Sequence, residues 1–516
     1  MPHDASRQEW VLAVDHGTSA MKVALIDMAG ALLDWEARPL TLELVDGGGA
    51  VQDPDQWWSA LVECSRTLLE RNERVRARVR AVAVSSTYST TVAIDAEGRA
   101  IGPALTWLDG RAASHVRRAM KGWVNLKGYG VDKLARWIPR AGGAPSLAGT
   151  DDLGHVLYWK HEQPDVYARA HAFVESKDYL NARLTGEIAA SADSAALFWA
   201  SDQRDVERVH YDAGLLRRLG LDADKLPPIR RATDMLGELL PLAAQALGLP
   251  AGVKVPVGAA DLAAACVGSG AVRPYEGHLY VGTSSWILCH VPFKKTDLLH
   301  SIASLPAALE GQYFCANEQN VAGGAVAHLL EKLLPTLSYA DMEQALQRSE
   351  PGAGGLIYTP WLNGELSPAA DDSLRGGFFN MSLATDQDQL VRAVYEGVAL
   401  NARWLLGHVE AFVGRKLESL RMIGGGARSD AWCQIYADIL GRTIERVVDP
   451  IAANARGAAL LAAIAMGRTT AADIPALVPI DRVFTPRRQH AALYDRHFET
   501  FVRLHEQQRR LKLRAA

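Results

Sequence analysis

The chain has 516 residues, 48% hydrophobic and 22% charged, which is enough for roughly two or three domains that each bury a full core. A formal net charge of −4 excludes the electrostatic footprint of a nucleic-acid-binding protein, and the basic end RRLKLR is too short to restore it. Five scattered cysteines (Cys64, Cys266, Cys289, Cys315, Cys433) form no CxxC pair, which argues against a disulfide framework or a zinc site and for reduced, buried thiols. The opening MPHDASRQEW has no apolar signal core, and no apolar run reaches the ~18 residues of a membrane span; the expected compartment is the cytoplasm.

In chain order, Val11–Val14 reads as a buried strand and Met21–Ile26 as a second, with Gly17-Thr18-Ser19 as the turn between them. After the turn Asp27–Gly30, ALLDW completes a three-strand antiparallel meander. Asp53-Pro54 supplies an N-cap and a proline in the first helical position, ahead of Trp57, Trp58, Leu61 and Val62 at helical spacing. Val79–Val84 is a strand ending in the polar run Ser85–Thr90, and Thr91–Ile94 turns through Asp95–Gly98 toward Ala104–Trp107.

From about residue 109 to 249 the pattern is mainly helical, and Trp159, Tyr167, Phe173 and Tyr179 read as core aromatics. Asp261 follows a short apolar run and opens a helix of small residues. Pro274 and Gly277 mark a domain boundary, after which strands return and break at Gly282-Thr283-Ser284. A helix over about 386–412, a strand Leu420–Ile423, the loop Gly424–Ser429 and a helix through Leu440 follow.

The doubled strand–Gly-Thr-Ser–strand turn is the main chemical signal. Glycine lets the backbone approach an anion, and the hydroxyls and N–H groups of Thr18, Ser19, Thr283 and Ser284 can donate to phosphate oxygens. One such turn is usually only a turn; two, each inside an apolar hairpin, suggest two related domains facing one ligand. No GxxxxGK[ST] loop is present. Asp15 before the first turn suits either Mg²⁺ or turn capping, and Asp261 suits either a base aimed into a cleft or a helix cap. Gly424–Gly426, with Ser429 and the acid Glu445, approaches a dinucleotide fingerprint, but a glycine-rich strand–helix turn also suits the adenosine of ATP.

VDHGTSAMKVALID and HLYVGTSSWILCHV resemble the two phosphate motifs of the FGGY carbohydrate kinases, and MIGGGARSDAWCQIYADILGR resembles their adenosine motif. VGAADLAAACVGSG is similar to the segment carrying the family's catalytic Asp, and LTWLDGR, ESKDYLNARLTGE, LVRAVYEGVALNAR and ANARGAALLAA are similar to further stretches. The resemblance runs in order from about residue 10 to 490.

It implies an α/β protein of two ribonuclease-H-like (actin-like ATPase) domains, 1–272 for sugar and 273–516 for ATP, closing on an interdomain cleft. It implies Asp261 as general base, with Asp15 and Asp261 organising Mg²⁺. Thr18, Ser19, Lys22, Gly282, Thr283 and Ser284 would hold phosphates, and Gly425, Gly426 and Gln434 would lie near adenosine. Trp107, Asp109 and Arg111 match the substrate-side stretch, as does the strand end at Thr87.

Two departures stand out against xylulose kinases, the closest branch by overall look. Tyr88 and Ser89 replace a Met-His pair, and Leu262 replaces an amide after the catalytic Asp. The expected substrate is a sugar or polyol, with a ketose such as xylulose as default. The contrasting expectations are an actin-like ATPase without sugar kinase activity, and a nicotinamide or flavin oxidoreductase built on Gly424–Ser429. The oligomeric state, a homodimer included, is left open.

Overall fold

The computed structural model describes residues 8–511. The first seven residues of the polar opening, and the last residues of the basic end, lie outside the described residues.

The first sheet starts from the meander β1 (Trp10–His16), β2 (Ala20–Asp27) and β3 (Leu32–Pro39). Helix α1 (Pro54–Arg71) follows, capped by Asp53, whose side chain accepts the Asp55 N–H. The sheet is completed by β4 (Val79–Ser86), β5 (Met235–Glu238) and β6 (Lys254–Pro256), giving the order β5-β6-β4-β1-β2-β3. β1 pairs antiparallel with β2 and parallel with β4, so strands of both senses meet at β1. β1 is buried along its whole length.

After β6 comes α2 (Asp261–Gly268), then a second sheet with the same plan. Its meander is β7 (Gly277–Val281), β8 (Ser285–Val291), β9 (Thr296–Asp297), β10 (Ile302–Pro306) and β11 (Tyr313–Ala316). The long helix α3 (Gln387–Val413) precedes β12 (Ser419–Ile423), α4 (Asp430–Leu440), β13 (Thr443–Val447), α5 (Ala453–Ala465) and β14 (Ile480–Phe484). The order is β9-β10-β11-β8-β7-β12-β13-β14, with β7 antiparallel to β8 and parallel to β12. The three-residue turns 17–19 and 282–284 therefore occupy equivalent corners of two equivalent sheets.

Helix α5 joins the halves. Its residues Ala455, Ala458, Ala459 and Ala462 pack on Val11, Ala13, Ala24, Ile26, Ala81 and Ala83 of the first sheet, although α5 follows the second sheet in sequence. α5 also crosses α2 closely enough that a Cβ on Gly268 would sit 1.7 Å from the Ala453 carbonyl oxygen, and one on Gly457 1.9 Å from that of Ala264. Arg456 is buried there and donates to the Gly30 oxygen at 3.0 Å and the Val448 oxygen at 2.7 Å.

The region 109–249 is less uniformly helical than its sequence suggests. Ala172–Glu175 is a strand pairing with Thr91–Ile94 in a five-stranded sheet, and Met235–Glu238 joins the first sheet. AFVE is buried on both faces, and a short apolar run of that kind carries no periodicity that separates strand from helix. Trp159, Phe173 and Tyr179 are core residues as expected, and the Tyr167 ring stacks on Phe173. All five cysteines are buried and unbridged. Among the described residues no helix is long and apolar enough to cross a membrane.

Candidate active site

Asp15, one residue before the end of β1, lies directly opposite Lys22 of β2, and the Lys22 ammonium lies 3.3 Å from an Asp15 carboxylate oxygen. Asp15 is 6% exposed, and its other oxygen lies 3.5 Å from the Asn454 side-chain nitrogen at the start of α5. The pairing with Asp15 outweighs burial and raises the Lys22 pKa, with smaller contributions from Tyr280 and Asp261. One cation of the first sheet is thus drawn toward two carboxylates and toward Tyr280 of the second sheet.

The first turn is braced from below and beside. The buried Gln52 side chain donates to the Thr18 carbonyl at 2.7 Å, and the half-exposed Trp107 ring donates to the Thr18 hydroxyl at 2.9 Å. Ser19 is exposed. His16 is fully buried edge-on to Trp57, and burial lowers its pKa to about 4, so its ring is neutral.

The second turn is tied to the segment after β11. The Gly323 and Gly324 N–H groups donate to the Gly282 and Thr283 carbonyls at 2.8 and 3.1 Å, and burial raises the Glu318 carboxyl, partly offset by the nearby Ser284 side chain. Tyr280 stacks on Trp286 with ring centres 3.9 Å apart, and its ring occupies the space a Cβ on Gly282 would need. Thr283 is exposed beside it.

Asp261 is the first residue of α2. Ala260 holds the cap position without a side-chain cap bond, and an Asp261 oxygen accepts the Leu262 N–H at 2.8 Å. Burial pushes the Asp261 carboxyl well above the usual carboxylate range, reinforced by the negative charges of Asp15 and Glu318. Such a group holds a proton more tightly than an ordinary carboxylate does.

The residue before it is anchored by a side chain that also reaches the loop after β4. Buried Asp193 accepts the Ala260 N–H at 2.9 Å and lies 3.5 Å from the Tyr88 hydroxyl. Ser89 is in the left-handed region (φ 54°), its N–H donating to Glu175 at 3.1 Å. Thr87 donates its N–H to the His16 carbonyl, tying the strand end to the first Gly-Thr-Ser turn.

Leu262 packs with Trp199 and Tyr280 against an apolar cluster that includes Trp286, so an apolar wall adjoins the Asp261 carboxylate. Asp109, expected on the substrate side, is enclosed. It is 1% exposed, is held by the Arg111 guanidinium at 2.6 Å and accepts the Ala50 N–H at 3.0 Å, which makes it a support for the Trp107 segment.

The glycines after β12 divide into two kinds. A Cβ on Gly424 would meet the Val281 carbonyl oxygen at 2.6 Å, and one on Gly426 the Val281 side chain at 2.5 Å, so both are required by close passage over β7. Gly425 faces open space within 4 Å, and is the glycine a ligand could lie against. Gln434, on α4, is occupied by Asp438 and the Thr485 carbonyl at 2.9 Å each. Glu445 pairs with Arg421 on the neighbouring strand.

The structure therefore gathers Asp15, Lys22, Asp261, Tyr280 and Glu318 through mutual electrostatics, with the two turns beside them. Asn454, Glu318, Tyr280, Gln52 and Asp193 were not singled out by sequence. Asn454 and Tyr280 lie within the motif stretches ANARGAALLAA and HLYVGTSSWILCHV, whereas nothing local marks the other three.

Comparison with known proteins agrees with this arrangement. The N-terminal domain of the FGGY family of carbohydrate kinases matches residues 10–268, and its C-terminal domain matches 278–466. Xylulose kinase of Escherichia coli (strain K12) is 28% identical, over 96% of this chain and 98% of its own. Xylulose kinase of Staphylococcus epidermidis (strain ATCC 35984) is 26% identical, over 98% of each. Gluconate kinase from Lactobacillus acidophilus has the same fold, with a TM-score of 0.85 at 22% identity over 98% of this chain and 99% of that one. Two α/β domains of like plan, doubled Gly-Thr-Ser turns and both matched halves converge on one assignment: the chain belongs to the FGGY family of carbohydrate kinases.

Proposed function

We propose that this kinase transfers the γ-phosphoryl group of ATP to a hydroxyl of a sugar or polyol, in the cleft between residues 1–272 and 273–516, with Asp261 as general base. The observation that carries the reading is the Asp261 carboxylate, raised by burial and by Asp15 and Glu318, beside the Lys22 cation. Asp261 takes the hydroxyl proton as the substrate oxygen attacks the γ-phosphorus. The bond to the bridging oxygen breaks, and ADP leaves.

Phosphoryl transfer asks mainly for alignment and charge neutralisation. The turns at Thr18-Ser19 and Gly282–Ser284, with Lys22, supply donors for the phosphates. The open face of Gly425 beside Gly426, together with the α4 residue Gln434, borders the adenosine. Closure of the lobes would exclude water, so that the sugar hydroxyl is the acceptor.

The donor set fits Mg²⁺, which favours one or two carboxylates with phosphates and water over an all-protein cage. Asp15 and Asp261 would hold it, directly or through water; among the described residues there is no group of three or more metal-ligating side chains. When bound, the ion neutralises phosphate charge.

The substrate is proposed as a ketose such as xylulose by default, on the names of the relatives at 28% and 26% identity. Tyr88, Ser89 and Leu262 change the sugar side: the Tyr88 hydroxyl is directed to Asp193, and Leu262 belongs to an apolar wall. An ADP-release screen over pentuloses, hexuloses, pentitols, tetritols and glycerol, with Asp261→Ala as blank, tests the reading. Turnover that persists in the blank would remove Asp261 from its role.

A further inference from the structure

A groove of about 370 Å³ lies between the lobes, lined by Ile138, Pro139, Arg204, Lys294, Lys295 and Thr296. The first three precede the boundary between the matched family domains, and the last three follow it. Here the Thr296 hydroxyl donates to the Gly142 carbonyl at 2.6 Å, so the two lobes touch at the groove wall. The groove is not the catalytic cleft: β8 leaves the Gly282–Ser284 turn and spans seven residues, roughly 20 Å, before reaching Lys294.

Its charge is unbalanced. Arg204 is paired with Asp202 at 2.6 Å, with its guanidinium side chain 60% exposed. Lys295 donates to the Phe412 carbonyl at 2.9 Å and lies over that ring, and is in no ion pair among the described residues. The Lys294 ammonium is buried and has no hydrogen-bond partner. The Asp202 carboxylate, already paired with Arg204, offsets only part of its burial, and an anion in the groove would relieve the rest. Burial pushes the Lys294 pKa down to about 8, which an incoming anion would reverse.

We propose that this groove binds a phosphate-bearing small anion through Lys294, Lys295 and Arg204, joining the two lobes away from the catalytic cleft. With Arg204 neutralised by Asp202, the surplus charge is that of the two lysines, which matches a phosphate dianion better than a carboxylate. The volume is within the range of small-ligand sites. A ligand held by both lobes affects their closure, and the cleft's ligands must affect its binding in return.

Calorimetric titration of the full chain with inorganic phosphate, and separately with ribulose 5-phosphate, tests the site. Saturable binding is expected in the wild type and in Asp261→Asn, with Lys294→Met weakening it by about tenfold or more, the worth of a charge-assisted hydrogen bond. Lys295→Met gives the same reading at an exposed residue if Lys294→Met does not fold. Tighter binding of the ester identifies a phosphorylated metabolite as the ligand, and equal binding identifies free phosphate; either keeps the site. Binding unchanged in both lysine variants, or no saturation of the wild type below about 10 mM, would overturn it.

Discussion

Asp261 is held in a state that costs the fold something, and the cost is measurable. Its folded pKa is raised, so the stability its protonated form contributes is fully present below the unfolded carboxylate pKa and is lost as pH rises through the folded value. Asp261→Asn should therefore melt at a higher temperature than the wild type at pH 8, with the difference closing toward acid pH. The same variant should lose at least about 10²-fold in kcat, the usual worth of a general base. In the wild type kcat/KM should fall as pH drops through the raised Asp261 pKa. A rate that does not fall as pH drops would contradict a base of this kind. Trp107→Phe removes the 2.9 Å bond to the Thr18 hydroxyl and should cost about fivefold in kcat/KM, near 1 kcal/mol. At this scale the residue types were legible but their partners were not. Asp261 can be picked out from its place after a strand, whereas Glu318 acts on it from a segment far along the chain. Asp109 looked available, and only the fold shows the Arg111 guanidinium closing over it.

The elements repeat, and repetition was the most legible property of the chain. The opening meander, the Asp53 cap and the strand–glycine–helix unit around residue 424 follow from local pattern alone. Helix α5 could not be placed that way, because an alanine-rich helix declares that it is buried without declaring against which sheet. Its crossing with α2 sets the spacing between Asp261 at the start of one helix and Asn454 at the start of the other. A Cβ on Gly457 would stand 1.9 Å from a backbone oxygen, so Gly457→Ala must push the helices apart. We expect a loss of about 1–3 kcal/mol or more in urea unfolding, typical of overpacking. Kinase activity should fall further than stability alone explains, because the Asp15–Asn454 contact moves with the crossing. A variant as stable and active as the wild type would mean that this contact of α2 with α5 does not set the site.

At the scale of the molecule, two sheets of like plan each carry a Gly-Thr-Ser turn, and the groups proposed to attract a phosphate come from both. Lys22 belongs to the first sheet, Tyr280 and Ser284 to the second, and Asp261 to the helix between them. If the lobes close on their ligands as proposed, sugar and a nucleotide together should shrink the radius of gyration in solution scattering more than either alone. The doubling of the turn is visible in the sequence, but the apolar wall beside Asp261 is not. Leu262, Trp199 and Tyr280 come from separate stretches and pack on one apolar cluster only in the folded chain. The central claim is most directly tested by measuring ADP release with Mg²⁺ and ATP across the sugar and polyol panel, wild type beside Asp261→Ala. The account predicts release that depends on one sugar-like compound and vanishes in the variant. ATP hydrolysis indifferent to every compound, and equal in both proteins, would contradict it.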